Sequence, residues 1–597
     1  MRKALFIILL IFSQLIVAQN DFLIGENYYR KGEYEKAAQV YKKLHDKSPY
    51  NTTYLKRLIT CYQETNQFSV AENLLKSRLS KTPTLTYLNV FLGYNYERQQ
   101  QKEKANIFYD KALQSIEINK SYGNIIGRAF KDYNLLDYAL KTYRKIMEVN
   151  PNANYDFQIA QIYGEKGNFE QMFQSFVNMI DKNENYLNTI QRYISRYITD
   201  DSQNSNNILF KRTLLRKSIS KPKNEWNHLL SWLFVQQKEF GKAFIQEKAL
   251  FARNPDDISN IIDLGKISFD EKDYSTAKKC FDFILEKEQN LAVQAEATLY
   301  TIKIAIETKQ TTIEQDFTNA FTKFGKNRNT IQLQTTYADY LTFYKNQPEQ
   351  ATLVLEKAMN FATSQFQKAR IKLKLGEVLV FTNKFNKALI YFSQIQTRFK
   401  NHELAQEARF KVAQTSYFKG DFKWAKAQLK VLKSSATQLI ANDAVDLFLT
   451  ISDNYPKDSV PTGLTQLAKA DLLAYQNKNK EALTVLTDIL TNEELLSRNG
   501  GFLQITNAVL YKKAMLYIKQ GKYSEAVADL EKVIATSKPD GIFMDDSVYQ
   551  LAELYHNQLN NSEKAKEYYQ KIIFDHQSSI YLVDARKKYR KLRGDTL

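Results

Sequence analysis

Residues 25–49 read GENYYRKGEYEKAAQVYKKLHDKSP, and the fold is decided in this stretch. Gly25 and Tyr28 lie three apart on one helix face, and Ala37, Tyr41 and Leu44 follow at i, i+4 and i+7 on one face of a second helix. Gly32-Glu33-Tyr34 supplies the turn between them. Pro49 ends the second helix, because its ring removes a backbone donor and collides with the preceding turn. The pattern then returns every 34 residues. One column is Ala37, Ala71, Ala105 and Ala139; a second is Tyr28, Tyr62, Tyr96 and Phe130. Two more are Gly25, Ile59, Gly93, Gly127 and Tyr41, Leu75, Tyr109, Tyr143, with Pro49, Pro83 and Pro151 closing three of the four units. Small residues let two helices approach, and the aromatics fill the gap between successive pairs. A larger side chain at Ala71 or Ala105 is expected to overpack that contact, costing about 1–3 kcal/mol.

In-register columns of this kind resemble the tetratricopeptide repeat, a helix-turn-helix unit of 34 residues. The resemblance implies an all-α chain: a right-handed α-solenoid of about 12–13 such units with a C-terminal capping helix. Along the chain the match drifts. A fifth unit carries Met172 in the Ala position, Ala243 and Ala277 restore the step of 34, and Ala351, Ala388 and Ala425 follow at steps of 37. The last units centre on Ala482, Ala526 and Ala565. The expected organisation is a leader over 1–18, a repeat block over 19–186, an irregular helical linker over 187–223 and a repeat pair over 224–290. An irregular helical segment over 291–335, a block over 336–434, a linker over 435–465, a block over 466–577 and a basic cap and tail over 578–597 complete it. The polar run at 200–207 is the best candidate for a hinge. In the last segment Tyr581, Ala585, Tyr589 and Leu592 share one helix face and basic residues fill the rest, as a solenoid cap requires.

Composition agrees with a helical, soluble chain. Among 597 residues there are only 18 Gly and 9 Pro, too few for serial β-sandwiches, collagen or a long disordered scaffold. The net charge of +19 favours anionic partners, but its even spread argues against nucleic acid, whose binders gather basic residues into patches. Cys61 and Cys280 sit inside helical patterns and read as buried free thiols. The five histidines fall in different units with no His-x-x-x-His spacing, and neither a nucleophile elbow nor a phosphate loop occurs. The reading is a non-enzyme with no cofactor, no catalytic residue and no metal site.

Met1-Arg2-Lys3, an apolar run to Val17, and Ala18 before Gln19 have the three-part order of a secretory signal peptide. The apolar run is shorter than the roughly 20 residues that span a bilayer, so cleavage after Ala18 and no membrane span afterwards are expected. The tail also resembles that of secreted repeat proteins from Bacteroidota. Together these place the chain in the periplasm, or on the periplasmic face of the outer membrane, of a Gram-negative bacterium.

For a repeat array of this resemblance the function implied is scaffolding: other envelope proteins or extended peptides held on the face that the first helices of the units share. The alternative is an accessory of envelope polymer or lipid traffic that binds anionic glycan or headgroups. The side chains beside the packing columns are Tyr29, Arg30, Arg57, Tyr94, Arg98, Arg128 and Lys131, interspersed with Glu26, Lys56, Glu64, Glu97 and Asp132. They are candidates either for gripping a peptide, by arginine forks and tyrosine rings, or for local ion pairs on a solvated face. On the first reading, removing Arg57, Tyr94 and Arg128 together weakens binding without changing the melting temperature.

Overall fold

In the computed structural model, which describes residues 21–433, 438–455, 462–492, 502–538 and 541–595, every regular element is helical. The leader and the linker residues 456–461 lie outside the described residues. The chain forms two compact units, Met1–Asp200 with Asn204–Leu233, and Phe234–Leu597 with Asp201–Gln203.

In the first unit helices run in pairs: α1 (21–30) and α2 (Tyr34–Lys47), α3 (Thr52–Glu64) and α4 (Phe68–Lys81), α5 (Leu88–Arg98) and α6 (Lys102–Ile118). α7 (Gly123–Asp132) and α8 (Leu136–Val149), then α9 (Asp156–Glu165) and α10 (Phe169–Lys182), continue the series. Short α11 (Leu187–Ile194), α12 (Ser205–Ser220) and α13 (Asn224–Gln236) follow. The turn between the helices of a pair is made the same way each time, by one residue with left-handed backbone at Gly32, Asn66, Gln100, Asn134 and Gly167. The next backbone N–H then reaches back to close the first helix: Gln67 N to Tyr62 O at 2.8 Å, Gln101 N to Tyr96 O at 3.0 Å, Leu135 N to Phe130 O at 2.8 Å.

How tightly a pair packs follows from matched sizes. A Cβ on Gly25, Gly93 or Gly127 would stand 3.0, 2.3 or 2.7 Å from the ring of Tyr41, Tyr109 or Tyr143, each 16 residues later. Gly265 meets Phe281 and Gly376 meets Phe392 with the same spacing. Where the first helix carries Ala413, Ala470 or Ala514, the residue 16 later is the smaller Leu429, Leu486 or Leu530, all buried. Ala37, Ala71, Ala105, Ala139, Ala243, Ala277, Ala388, Ala425, Ala526 and Ala565 are all buried between helices, and Met172 is buried in the equivalent place.

The second unit continues with α14 (Phe240–Arg253), α15 (Ser259–Asp270) and α16 (Tyr274–Lys287), and then α17 (Leu291–Glu307) with α18 (Ile313–Phe324). α19 (Ile331–Phe343), α20 (Pro348–Phe361), α21 (Gln365–Phe381), α22 (Phe385–Arg398), α23 (Glu403–Lys419) and α24 (Phe422–Leu432) form three further pairs. The segment expected to be irregular over 291–335 therefore holds an ordinary pair. Its pattern was obscured because the turn after left-handed Lys309 runs on to Thr312 and the buried series of α18 is Ile313, Phe317 and Ala320, with Ile313 where other units place Ala. Likewise 187–223 is mostly helical, and its polar run is a short loop that leads into the first turn of α12. The buried side chain of Asn207 donates to Thr199 O at 2.7 Å and accepts from Thr199 N at 3.2 Å.

The expected linker 435–465 holds a 17-residue helix, α25 (Gln438–Asn454). It is followed by α26 (Thr462–Tyr475) and α27 (Asn479–Thr491), α28 (Phe502–Lys519) and α29 (Tyr523–Thr536), α30 (Met544–Asn557) and α31 (Ser562–Asp575), and α32 (Leu582–Arg593). First helices pack on the first helix of the next pair, α19 on α21 and α21 on α23; α23 then packs on both α25 and α26. α25, packed mainly on α24, is an extra helix between the pairs α23–α24 and α26–α27. α32 seals the end: Ala585 is buried, and Tyr581, Tyr589 and Leu592 pack on the core of the last pair.

Candidate functional site

The residues singled out beside the packing columns do share one face of α1, α3, α5 and α7, but most are tied to one another. Arg57 on α3 reaches across to Glu26 on α1, Nε to Oε1 at 2.7 Å and Nη2 to Oε2 at 3.1 Å, and its guanidinium lies 4.2 Å from the centre of the Tyr29 ring. Glu26 also accepts from the Tyr41 hydroxyl at 2.7 Å. Burial pushes the Glu26 carboxyl up, and the bonds from Tyr41 and Arg57 more than reverse this, leaving it below its ordinary value. One pair further on, Arg98 donates to Glu64 at 2.8 Å and to the Tyr94 hydroxyl at 3.4 Å. Lys131 pairs with Glu165 at 2.7 Å. Tyr94 is no free anchor either, since Tyr133 stacks on its ring at 4.0 Å.

These contacts overturn one expectation. Arg57, Tyr94 and Arg128 cannot be removed together without touching stability, because Arg57 bonds two helices of successive pairs and Tyr94 carries Tyr133. Arg30 and Arg128 are exposed, and among the described residues neither has an ion-pair partner. Lys56 lies 5.3 Å over the Tyr87 ring.

Sequence reasoning missed the residues that lock this face. The buried amide of Gln63 donates to Phe91 O at 3.1 Å and accepts from the Tyr133 hydroxyl at 2.9 Å, joining three pairs. A polar residue inside an otherwise apolar helix face was the one available signal. In the second unit Lys374 bonds Asp339 at 3.0 Å and Glu377 at 2.8 Å, and Lys411 bonds Glu377 at 2.7 Å, across α19, α21 and α23. Burial disfavours the Glu377 charge, yet two ammonium groups hold its carboxyl down to about 2. Nearby, Gln476 Nε2 on the turn after α26 donates to Phe381 O at 2.8 Å, among the rings of Phe343, Phe381, Phe418 and Tyr475. Partners more than 90 residues apart leave no trace in a sequence period of 34.

The two cysteines and two of the histidines have structural surroundings. Cys61 and Cys280 are buried free thiols, each pushed up to about 12 by burial. His402 caps α23, its Nδ1 accepting from Leu404 N at 3.1 Å, and His556 faces the Tyr569 hydroxyl at 3.1 Å. Among the described residues no helix is long and apolar enough to cross a membrane.

Family comparison matches this geometry in three places. Models of the tetratricopeptide repeat match residues 19–49, 508–538 and 546–576, each an α-helical pair in the structure. The chain carries tetratricopeptide repeats. No curated protein matches it. Among solved structures it is similar to a chain of Naa15/Naa10 bound to HypK-THB, with 11% identity over 97% of this chain and 96% of the other, at a TM-score of 0.30. It is also similar to a chain of the APC/C hetero-tetramer Cut9-Hcn1, with 14% identity over 96% of each chain, at a TM-score of 0.24. At those scores neither neighbour says anything of what this repeat array binds.

Proposed function

We propose that this tetratricopeptide-repeat chain is an exported, non-enzymatic scaffold of the bacterial envelope, whose partners are other envelope proteins or extended peptides. The observation that carries this reading is the shared face of α1, α3, α5 and α7, held rigid by the Glu26–Arg57 and Glu64–Arg98 bridges, on which Arg30 and Arg128 stand exposed with no ion-pair partner among the described residues. Fixed spacing between exposed guanidinium groups suits carboxylates of an extended ligand. The leader over 1–18 supports export, to the periplasm or the periplasmic face of the outer membrane. Affinity capture from envelope extract with mass spectrometry tests it. Defined protein partners are expected, with Arg30→Ala/Arg128→Ala weakening capture at an unchanged melting temperature; capture of no protein above background refutes the reading.

One surface favours the alternative of anionic glycan or headgroups. On α24 Trp424 is 51% exposed between Lys423 and Lys430, which have no ion-pair partner among the described residues, as on an interfacial helix. Salt-sensitive sedimentation with phosphatidylglycerol vesicles, lost in Trp424→Ala, would establish it.

A further inference from the structure

Inserting α25 between repeat pairs leaves a cavity of about 640 Å³ in the second unit, walled by α23, α25, α26 and α28. Its lining is of two kinds. Phe418, Tyr511 and Met515 give it apolar walls, with Phe543 stacked 4.8 Å behind Tyr511. Asp443 and Asp446, one turn apart on α25, give it two carboxylates.

Both carboxylates are exposed, and among the described residues neither has a cation within ion-pair distance. The two lysines that also line the cavity are engaged elsewhere. Lys512 bonds Asp471 at 2.9 Å, an oxygen that the Tyr417 hydroxyl also reaches at 2.8 Å, and Lys519 donates to Asn477 Oδ1 at 2.8 Å. Asp545 and Asp546 stand close enough to act on Asp446 and add to the negative field. Desolvation first, and then the neighbouring carboxylates Asp443 and Asp545, raise the Asp446 carboxyl above its ordinary range against the opposing pull of Lys512, as Lys411 opposes the rise at Asp443.

The ligand that completes such a site must carry delocalised positive charge on a flat group able to lie against rings. The chain already shows that pairing where Arg57 lies over Tyr29 while bonding a carboxylate. Side chains one turn apart on a helix are about 5–6 Å apart at Cβ, within the span of one guanidinium fork. We propose that the cavity receives an arginine side chain of a partner peptide, its guanidinium between Asp443 and Asp446 and its stem against Tyr511, Phe418 and Met515. This rests on the scaffold reading and gives it a partner chemistry opposite to that of Arg30 and Arg128.

The test uses the full mature chain and the blocked pentapeptide acetyl-Ala-Ala-Arg-Ala-Ala-amide, with its citrulline counterpart, followed by saturation-transfer NMR. Citrulline keeps the shape and loses the charge. The arginine peptide is expected to bind at least about tenfold tighter than the citrulline one. Asp443→Asn/Asp446→Asn and, separately, Met515→Trp, which fills the cavity, should each remove that preference. Equal binding of the two peptides, no saturation of the arginine peptide, or a preference that survives Met515→Trp in a folded chain overturns the proposal. Should the double Asn variant fail to fold, Met515→Trp alone decides. Arginine-specific binding with no captured partner would retire the scaffold reading and keep the site, whereas captured partners with citrulline-blind binding would retire the site alone.

Discussion

At Gly93 a methyl group would sit 2.3 Å from the Tyr109 ring, and at Gly376 2.4 Å from Phe392. Gly93→Ala adds helix propensity of about 1 kcal/mol, but the ring cannot yield inside a packed pair, and a net loss of about 1–3 kcal/mol in urea unfolding is expected. Because Ala is matched with Leu in other units, Tyr109→Leu in the same chain should recover most of that loss; a double-mutant cycle showing no coupling would refute the size-matching account. Asp546 carries the pH prediction. Burial raises its carboxyl to about 6, and its hydrogen bond from Tyr581 at 2.7 Å offsets only part of that. With the folded value above the unfolded one, its contribution is fully present below about pH 4 and is lost as pH rises through 6. Asp546→Asn, which still accepts from Tyr581, should stabilise the chain by about 1 kcal/mol at pH 7.5 and not at pH 4. Thermal melts at the two pH values check it.

Among helices, the recurring device is the ion pair thrown from one first helix to the next, as in Glu26–Arg57, Glu64–Arg98 and Lys131–Glu165. Most are half-exposed and worth about 0–1 kcal/mol each. Glu377 is the exception, being buried and shared by Lys374 and Lys411. Glu377→Gln leaves the partly buried Lys411 ammonium without its carboxylate and Lys374 with Asp339 alone, and a loss of about 3 kcal/mol is expected, against under about 1 kcal/mol for Glu64→Gln. Equal effects in chemical denaturation would show that burial does not separate the two. Turns give a second comparison: Lys272 holds left-handed backbone that glycine adopts without strain, so Lys272→Gly should be neutral or stabilising by about 0.5 kcal/mol. Gly32 and Gly167 already use that solution, and Asn66 and Asn134 the next best.

For the whole molecule, each pair buries its core against its neighbours, so stability is spread along the array. The first unit ends within α13 rather than after the fifth pair, because α10 packs on α12. Residues 19–236 alone should therefore give a helical circular-dichroism spectrum and a cooperative melt. A non-cooperative melt of that fragment would mean that the first unit depends on the second.

Period and composition by themselves determined the helix pairs, the 34-residue step, the Ala and Gly packing positions and the capping helix, because each depends on contacts inside one unit or with the next. Helix identity at α17, α18 and α25 escaped, since a lengthened turn and an extra helix both break the step without changing local propensity. The role of Arg57 and Arg98 was open between ligand and structure until the tertiary fold set Glu26 and Glu64 against them. Gln63, Glu377 and Gln476 were decided by the tertiary structure alone, as was the cavity beside α25. A buried polar group takes its meaning from its partner, and these partners are brought in by packing across several units, where a repeat period carries no information.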